Sequence, residues 1–164
     1  MRALMQKAPT RADRVDINEA VREVIELSRG EALKNGVSVE TQFAEGLPTI
    51  TGDRVQLQQV VLNLILNALQ AMGAVSEGAR QALITTSQTE LNDLCIGVQD
   101  TGPGLRPETL SRLFEPFYTT KPNGMGMGLA ICRSIVEAHG GRLWATVCQP
   151  QGALFQFMIP ARPA

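Results

Sequence analysis

Residues 60–70 read Val60-Val61-Leu62-Asn63-Leu64-Ile65-Leu66-Asn67-Ala68-Leu69-Gln70, and this stretch decides how the rest of the chain is read. From Asp53 to Met72 nearly every residue is helix-forming and many are apolar. Within that run Gln59, Asn63, Asn67 and Gln70 recur at steps of four, four and three, which places all four side chains on one face of a helix. Asn is a mediocre helix former because its amide competes for backbone hydrogen bonds. Two of them one turn apart in mid-helix cost stability unless something uses their amides. A buried amide without a partner costs roughly 1–3 kcal/mol. A bound ion or ligand supplies such partners, so this helix is read as the floor of a polar site. Asp53 is its predicted N-cap, with Gln56 in the capping-box position, and Gly73 its end.

Outward from that helix the chain alternates helices with short strands. Val15 and Ile17 are expected in a short edge strand. A helix is expected from Asn18 to Lys34, with Val21, Val24, Ile25 and Ser28 on its inner stripe and Asn35-Gly36 as its stop. Val37 to Phe43 alternates as a strand should, and Ile50 is expected in another short one. Leu83–Gln88 and Leu94–Gln99 read as two strands turned at Asn92-Asp93. A helix from Gly128 to His139 is closed by Gly140-Gly141. Arg142–Cys148 and Ala153–Ile159 form the last hairpin. These elements predict an α+β two-layer sandwich: one mixed, mostly antiparallel sheet of about five strands, with three helices on one face.

With 164 residues the chain is long enough for one domain with a real core. Its 15 basic and 16 acidic residues give a net charge of −1, which argues against general attraction to nucleic acid or a membrane surface. An anionic ligand must therefore be held locally. The three cysteines, Cys95, Cys132 and Cys148, are odd in number and form no C-x-x-C pair, so neither a disulfide framework nor a zinc site is expected. They read as small buried hydrophobes of a reducing, cytoplasmic compartment. No apolar run approaches the ~20 residues that span a bilayer. The opening MRALMQKAPTRADR lacks the apolar core of a signal peptide. Residues 1–12 are read as a linker or the tail of a preceding element, and 13–164 as the folded domain.

Three further constellations carry chemistry. Asp100-Thr101-Gly102-Pro103-Gly104 follows an apolar strand, and a carboxylate beside bare backbone suits an exocyclic amine such as that of adenine. Gly124-Met125-Gly126-Met127-Gly128 opens a helix, where free N–H groups and the helix dipole favour phosphate. It is neither a Rossmann fingerprint nor a Walker A loop. Lys121 lies just upstream, within reach of a terminal phosphate. Leu113-Phe114-Glu115-Pro116-Phe117-Tyr118 gathers three aromatics in a chain with one Trp, one Tyr and five Phe, and reads as a lid anchor or a small satellite core. The segment between Thr101 and Gly128 is long for a loop, apart from a short helix expected at Pro107–Leu113, and such loops are usually functional. His139, the only histidine, is read as structural.

In order, NLILNA, DTGPG, LFEPFYTTK and GMGMGLA with IVEAHGG closely resemble the catalytic and ATP-binding domain of sensor histidine kinases. That domain belongs to the wider Bergerat-fold family that also holds gyrase, the Hsp90 chaperones and MutL. The resemblance runs from about Asp13 to Pro160, and FYTTK with a short lid looks like the nitrogen- and oxygen-regulation type. It implies ATP and Mg²⁺ as cofactors. It assigns Asn67 to the metal, Asn63 and Lys121 to the transfer chemistry, and Asp100 to adenine, with Gly102 and Gly104 in the same box. Gln70, Lys121, Gly124, Gly126, Met127, Gly128 and Leu129 complete the implied nucleotide contacts. Ala153 departs from the pattern, standing where Thr or Ser is common.

What the resemblance implies is a kinase catalytic domain that passes the γ-phosphoryl group of ATP to a histidine on a separate phosphoacceptor and dimerisation domain. A response-regulator aspartate receives it next. No helix in this sequence carries an acceptor histidine beside an acidic residue, so the chain is expected to bind nucleotide as a monomer without phosphorylating itself. The alternatives are a hydrolase of the gyrase or MutL kind and a non-catalytic module that uses ATP to hold a partner. Asn63 stands where the hydrolases carry a glutamate base, and an amide cannot take a proton from water.

Overall fold

The computed structural model describes residues 13–73, 80–115, 128–148 and 152–161. Its elements run β1 (Asp13–Val15), α1 (Ile17–Lys34), β2 (Ser38–Phe43), β3 (Ile50–Gly52), α2 (Arg54–Gly73), β4 (Gln81–Gln88), β5 (Asp93–Asp100), α3 (Pro107–Leu110), α4 (Gly128–Ala138), β6 (Arg142–Val147) and β7 (Ala153–Pro160).

Five strands form the main sheet in the order β2-β4-β5-β7-β6. All neighbours are antiparallel except β2 and β4, whose parallel pairing follows from the long crossover through β3 and α2 that joins them. Strand alternation sorts the side chains. Ala82, Ile84 and Thr86 of β4, Leu94, Ile96 and Val98 of β5, and Phe155, Phe157 and Ile159 of β7 are all buried. Against that face lie α1, α2 and α4: α1 beside β2, α2 over β4 and β5, and α4 over β6 and β7. This is the expected two-layer sandwich. Its core is closed from the helix side by Ile17, Val21 and Val24 of α1, by Leu57, Val60, Leu64, Ile65 and Leu69 of α2, and by Cys132 and Val136 of α4.

One expectation is corrected at the start of the fold. Ile17 is not in a strand with Val15 but is the first residue of α1. Asp16 takes the extended cap conformation, and its carboxylate accepts the Glu19 N–H at 3.2 Å, so the helix begins one residue earlier than its stripe suggests. Val15 instead pairs with Ile50 in a separate two-stranded sheet of β1 and β3. The short helix near Pro107 is shorter than expected, ending at Leu110. Both long helix stops behave as read. After α1, Gly36 adopts φ +65° and the Val37 N–H reaches back to Ala32 O at 2.9 Å. After α4, Gly140 adopts φ +80° and the Gly141 N–H reaches Val136 O at 2.9 Å.

Candidate nucleotide-binding site

Alternation along β5 fixes the first site residue. Asp100 follows Leu94, Ile96 and Val98 at steps of two, so its carboxylate points into the helix layer with them. It is 3% exposed. Its Oδ1 accepts the Gly102 N–H at 2.9 Å and the Ala153 N–H at 3.3 Å. Burial pushes the carboxyl pKa up from its ordinary value, and these two backbone donors partly offset the shift. Ala153 thus contributes to the site through its backbone, a role indifferent to the side chain that replaces the common Thr or Ser.

The two glycines of the box have separate steric reasons. A Cβ on Gly102 would meet the Asp100 Oδ1 at 3.2 Å and the Ala71 backbone of α2 at 3.4 Å. Gly104 has φ +88° and packs against the backbone of Gly152. Thr101 accepts the Gln81 N–H at 3.0 Å and gives its own hydroxyl proton to the Met72 sulfur at 3.5 Å. The loop after β5 is therefore seated on the last turn of α2.

The polar stripe of α2 lies away from the sheet, as its period requires. Gln59 and Gln70 are exposed and Asn63 and Asn67 half-buried, while Val60, Val61, Leu64, Ile65, Ala68 and Leu69 face the core. Two contacts fix α4 against this helix. Asn63 Nδ2 donates to the Cys132 Sγ at 3.6 Å, and the Asp53 N–H donates to His139 Nε2 at 3.0 Å. As α4 runs from Cys132 to His139, its partners on α2 run backwards from Asn63 to the cap. The helices are therefore antiparallel here. Gly128 and Leu129, at the start of α4, fall toward the Asn67 end of α2, where the Asp100 loop also sits. Direct contacts tie Asn63 to α4 and Gly102 to the last turn of α2, with Asp100 beside Gly102 and Gly104 against Gly152; Asn67 and Gln70 lie along α2 and Gly128 and Leu129 at the start of α4. Lys121, Gly124, Gly126 and Met127 lie outside the described residues.

The structural role expected of His139 takes a specific form that the sequence does not show. Its Nδ1–H reaches Ile135 O at 2.9 Å, which leaves Nε2 as the acceptor for the Asp53 N–H. The Asp53 carboxylate accepts the Gln56 N–H at 3.1 Å, as expected of the cap. The reciprocal half of the capping box, however, is supplied by the imidazole. Gly52 makes room for that ring, since a Cβ there would lie 2.8 Å from it. His139→Ala orphans the N–H of a residue that is 3% exposed, and unfolding titrations should register a loss of about 1–3 kcal/mol, partly recovered in His139→Gln.

The aromatic segment is half accounted for. Phe114 meets Phe155 edge to face, with centroids 6.4 Å apart, and Leu113 is buried. Phe117 and Tyr118 lie outside the described residues. The donors on the α2 face are amides, and among the described residues no group of three or more His, Cys, Asp or Glu side chains is placed to hold a metal. Such a face suits Mg²⁺, which keeps several waters and takes phosphate oxygens, better than it suits a metal caged by protein alone. No helix among the described residues is long and apolar enough to cross a membrane.

Solved structures share this fold. The catalytic domain of the histidine kinase ThkA superposes with a TM-score of 0.80 at 30% identity, over 92% of this chain and 95% of that one. Full-length ShkA in complex with AMPPNP gives a TM-score of 0.86 at 32% identity, over 99% of this chain and 34% of that one. The fold is thus that of a histidine kinase catalytic domain. Residues 52–163 match the family described as histidine kinase-, DNA gyrase B-, and HSP90-like ATPase, and the chain belongs to that family. Among curated relatives, the sensor histidine kinase TmoS of Ectopseudomonas mendocina is 42% identical over 147 residues, which is 89% of this chain and 15% of that protein. The sensor protein FixL of Bradyrhizobium diazoefficiens is 39% identical over 146 residues, 88% of this chain and 28% of that protein. The chain therefore spans less than a third of the length of either relative.

Proposed function

We propose that this domain binds Mg·ATP between α2, the Asp100 loop and the start of α4, and presents the γ-phosphoryl group to a histidine of a separate helical domain. The observation that carries this reading is Asp100, a carboxylate held in the helix layer by two backbone N–H groups. Both bonds use Oδ1, so Oδ2 is the oxygen for the exocyclic amine of adenine. The N-terminal end of α4 suits the phosphates, with Lys121, Gly124, Gly126 and Met127 completing that side. Asn67 supplies an amide oxygen to Mg²⁺ carried in by the nucleotide, and the metal neutralises charge on the phosphates. Asn63 lies one turn away, where an amide suits transfer to an acceptor rather than activation of water.

Two neighbours support the wider setting. ShkA has been solved in complex with AMPPNP, and ThkA in complex with the response regulator TrrA. Relay to a receiver aspartate follows as the second step of the proposal, with the phosphoacceptor domain and the receiver as macromolecular partners. Residues 1–12 would lead from the phosphoacceptor helices into the domain, in a cytoplasmic setting, and the domain itself would be monomeric.

The test is calorimetric. ADP should bind the parent chain more tightly with Mg²⁺ than without it. Asn67→Ala should remove about tenfold of that increment, near 1.4 kcal/mol, while the metal-free affinity and the melting temperature stay close to the parent. A variant that keeps the full metal increment overturns the role of Asn67. Mixed with the phosphoacceptor domain and ATP labelled at the γ position, the chain should label that domain's histidine. Hydrolysis without labelling would favour the ATPase alternative.

A further inference from the structure

Cys132 is completely buried in α4, and its sulfur serves two partners on α2. It accepts from Asn63 Nδ2 at 3.6 Å, and its own proton points to the Val60 carbonyl at 3.9 Å. Burial pushes the thiol pKa up to about 11, so at neutral pH the sulfur keeps its proton. A thiol has one proton to give. With that proton on the Val60 side, the sulfur turns lone pairs toward Asn63, and only the NH₂ end of the amide can meet them. Nitrogen and oxygen diverge from the same amide carbon. Fixing the nitrogen on the sulfur therefore turns Oδ1 away from it.

We propose that Cys132 is a positioning residue for phosphoryl transfer: it locks the Asn63 amide so that an acceptor oxygen, not an NH₂ group, faces the phosphates. The proposal rests on the functional reading above and adds to it the orientation of one group. An outward oxygen holds the O–H of a water bound among the phosphates; an outward NH₂ would repel that donor and bind phosphate oxygen instead. With the sulfur removed, the contact that selects between the two orientations is lost. The amide then spends part of its time reversed, and transfer slows while nucleotide binding, dominated by the adenine and phosphate contacts, is preserved.

The decisive variant is Cys132→Val, which keeps an apolar side chain of similar size and removes the acceptor. At saturating ATP, the rate of transfer to the phosphoacceptor domain should fall about five- to tenfold, with ADP affinity within about twofold of the parent. Cys132→Ser keeps both donor and acceptor and should recover most of the rate. In an Asn63→Ala background Cys132→Val should have no further effect, because the two residues act as one unit. An equal loss in both backgrounds would mean that Cys132 only packs, and would overturn the proposal. A second readout needs no activity: in the nucleotide-free chain the Asn63 side-chain NH₂ resonances should move in Cys132→Val and return toward the parent in Cys132→Ser. Unmoved resonances overturn the contact itself. A transfer-competent parent matched in rate by Cys132→Val overturns the role of Cys132 alone. A parent that binds ADP and never labels the acceptor overturns the functional reading, and this inference with it.

Discussion

Asp100→Asn should lower ADP affinity about 100-fold while the nucleotide-free chain melts at or above the parent temperature. The two effects have separate causes. Asparagine keeps Oδ1 for the Gly102 and Ala153 N–H groups, so the loop and the start of β7 stay in place. What changes is the other arm, where an NH₂ replaces the oxygen offered to the adenine amine. Two donors then face each other. A lost hydrogen bond to a charged acceptor is worth about 1.5–3 kcal/mol, and the upper end corresponds to roughly 100-fold. Guanine carries a carbonyl where adenine carries that amine, so the preference for ADP over GDP should shrink as well.

Stability moves the other way because the carboxylate is itself a burden on the fold. Burial raises the folded-state pKa of Asp100 above its ordinary value of 3.8, so the ionised form is disfavoured by folding. That penalty is fully present above the raised pKa, shrinks as the pH falls toward 3.8, and is gone below it. The advantage in melting temperature of Asp100→Asn should therefore be largest near neutral pH and close in acid. Unchanged ADP affinity in this variant would remove Asp100 as the reader of adenine.

The fold was legible in the sequence wherever one chemical period ran uninterrupted. The α2 stripe, the strand runs at Leu83–Gln88, Leu94–Gln99 and Ala153–Ile159, and the Asn35-Gly36 and Gly140-Gly141 stops all follow from local rules, and each is found in place. Local rules fail at Ile17, where alternation with Val15 and membership of the α1 stripe are both consistent with the residues. The Asp16 carboxylate decides between them by capping the helix at Glu19. The parallel pairing of β2 with β4 is also invisible locally, since it depends on how far the intervening chain travels.

The site divides in the same way. Asp100 and the amides could be proposed because residue type and spacing suggest their chemistry. The contacts that hold them could not. His139 meets Asp53 across 86 positions and Cys132 meets Asn63 across 69, and nothing in either neighbourhood announces its partner. From the sequence His139 reads only as structural. Only the packed structure shows it as an acceptor completing the cap of another helix. Chemistry at this site is thus written in short motifs, while its orientation is written in long-range pairs between α2 and α4.

Gly152→Ala should cost about 3–5 kcal/mol and lower the melting temperature by roughly 10 °C, a large effect for one methyl group. Two penalties coincide there. Gly152 has φ +108°, a conformation that L side chains rarely adopt, and strain of this kind costs about 1–3 kcal/mol. A Cβ would also overlap the Asp100 carbonyl oxygen and press on the Thr101 backbone at 3.5 Å. Both obstacles are main chain at the end of β5, so no rotamer change relieves them, and overpacking adds about 1–3 kcal/mol. The relief available is separation of the β7 start from the β5 end. That separation breaks the Ala153 bond to Asp100 and unseats Gly104, which packs on Gly152. Affinity should therefore fall along with stability, in contrast to Asp100→Asn, where the two part company. Measured at a temperature where the variant is still folded, ADP binding should be weakened at least tenfold. A Gly152→Ala chain that melts low yet binds ADP like the parent would show that the β7 backbone supports the sheet but not the carboxylate, and that Gly102 alone suffices to aim Asp100.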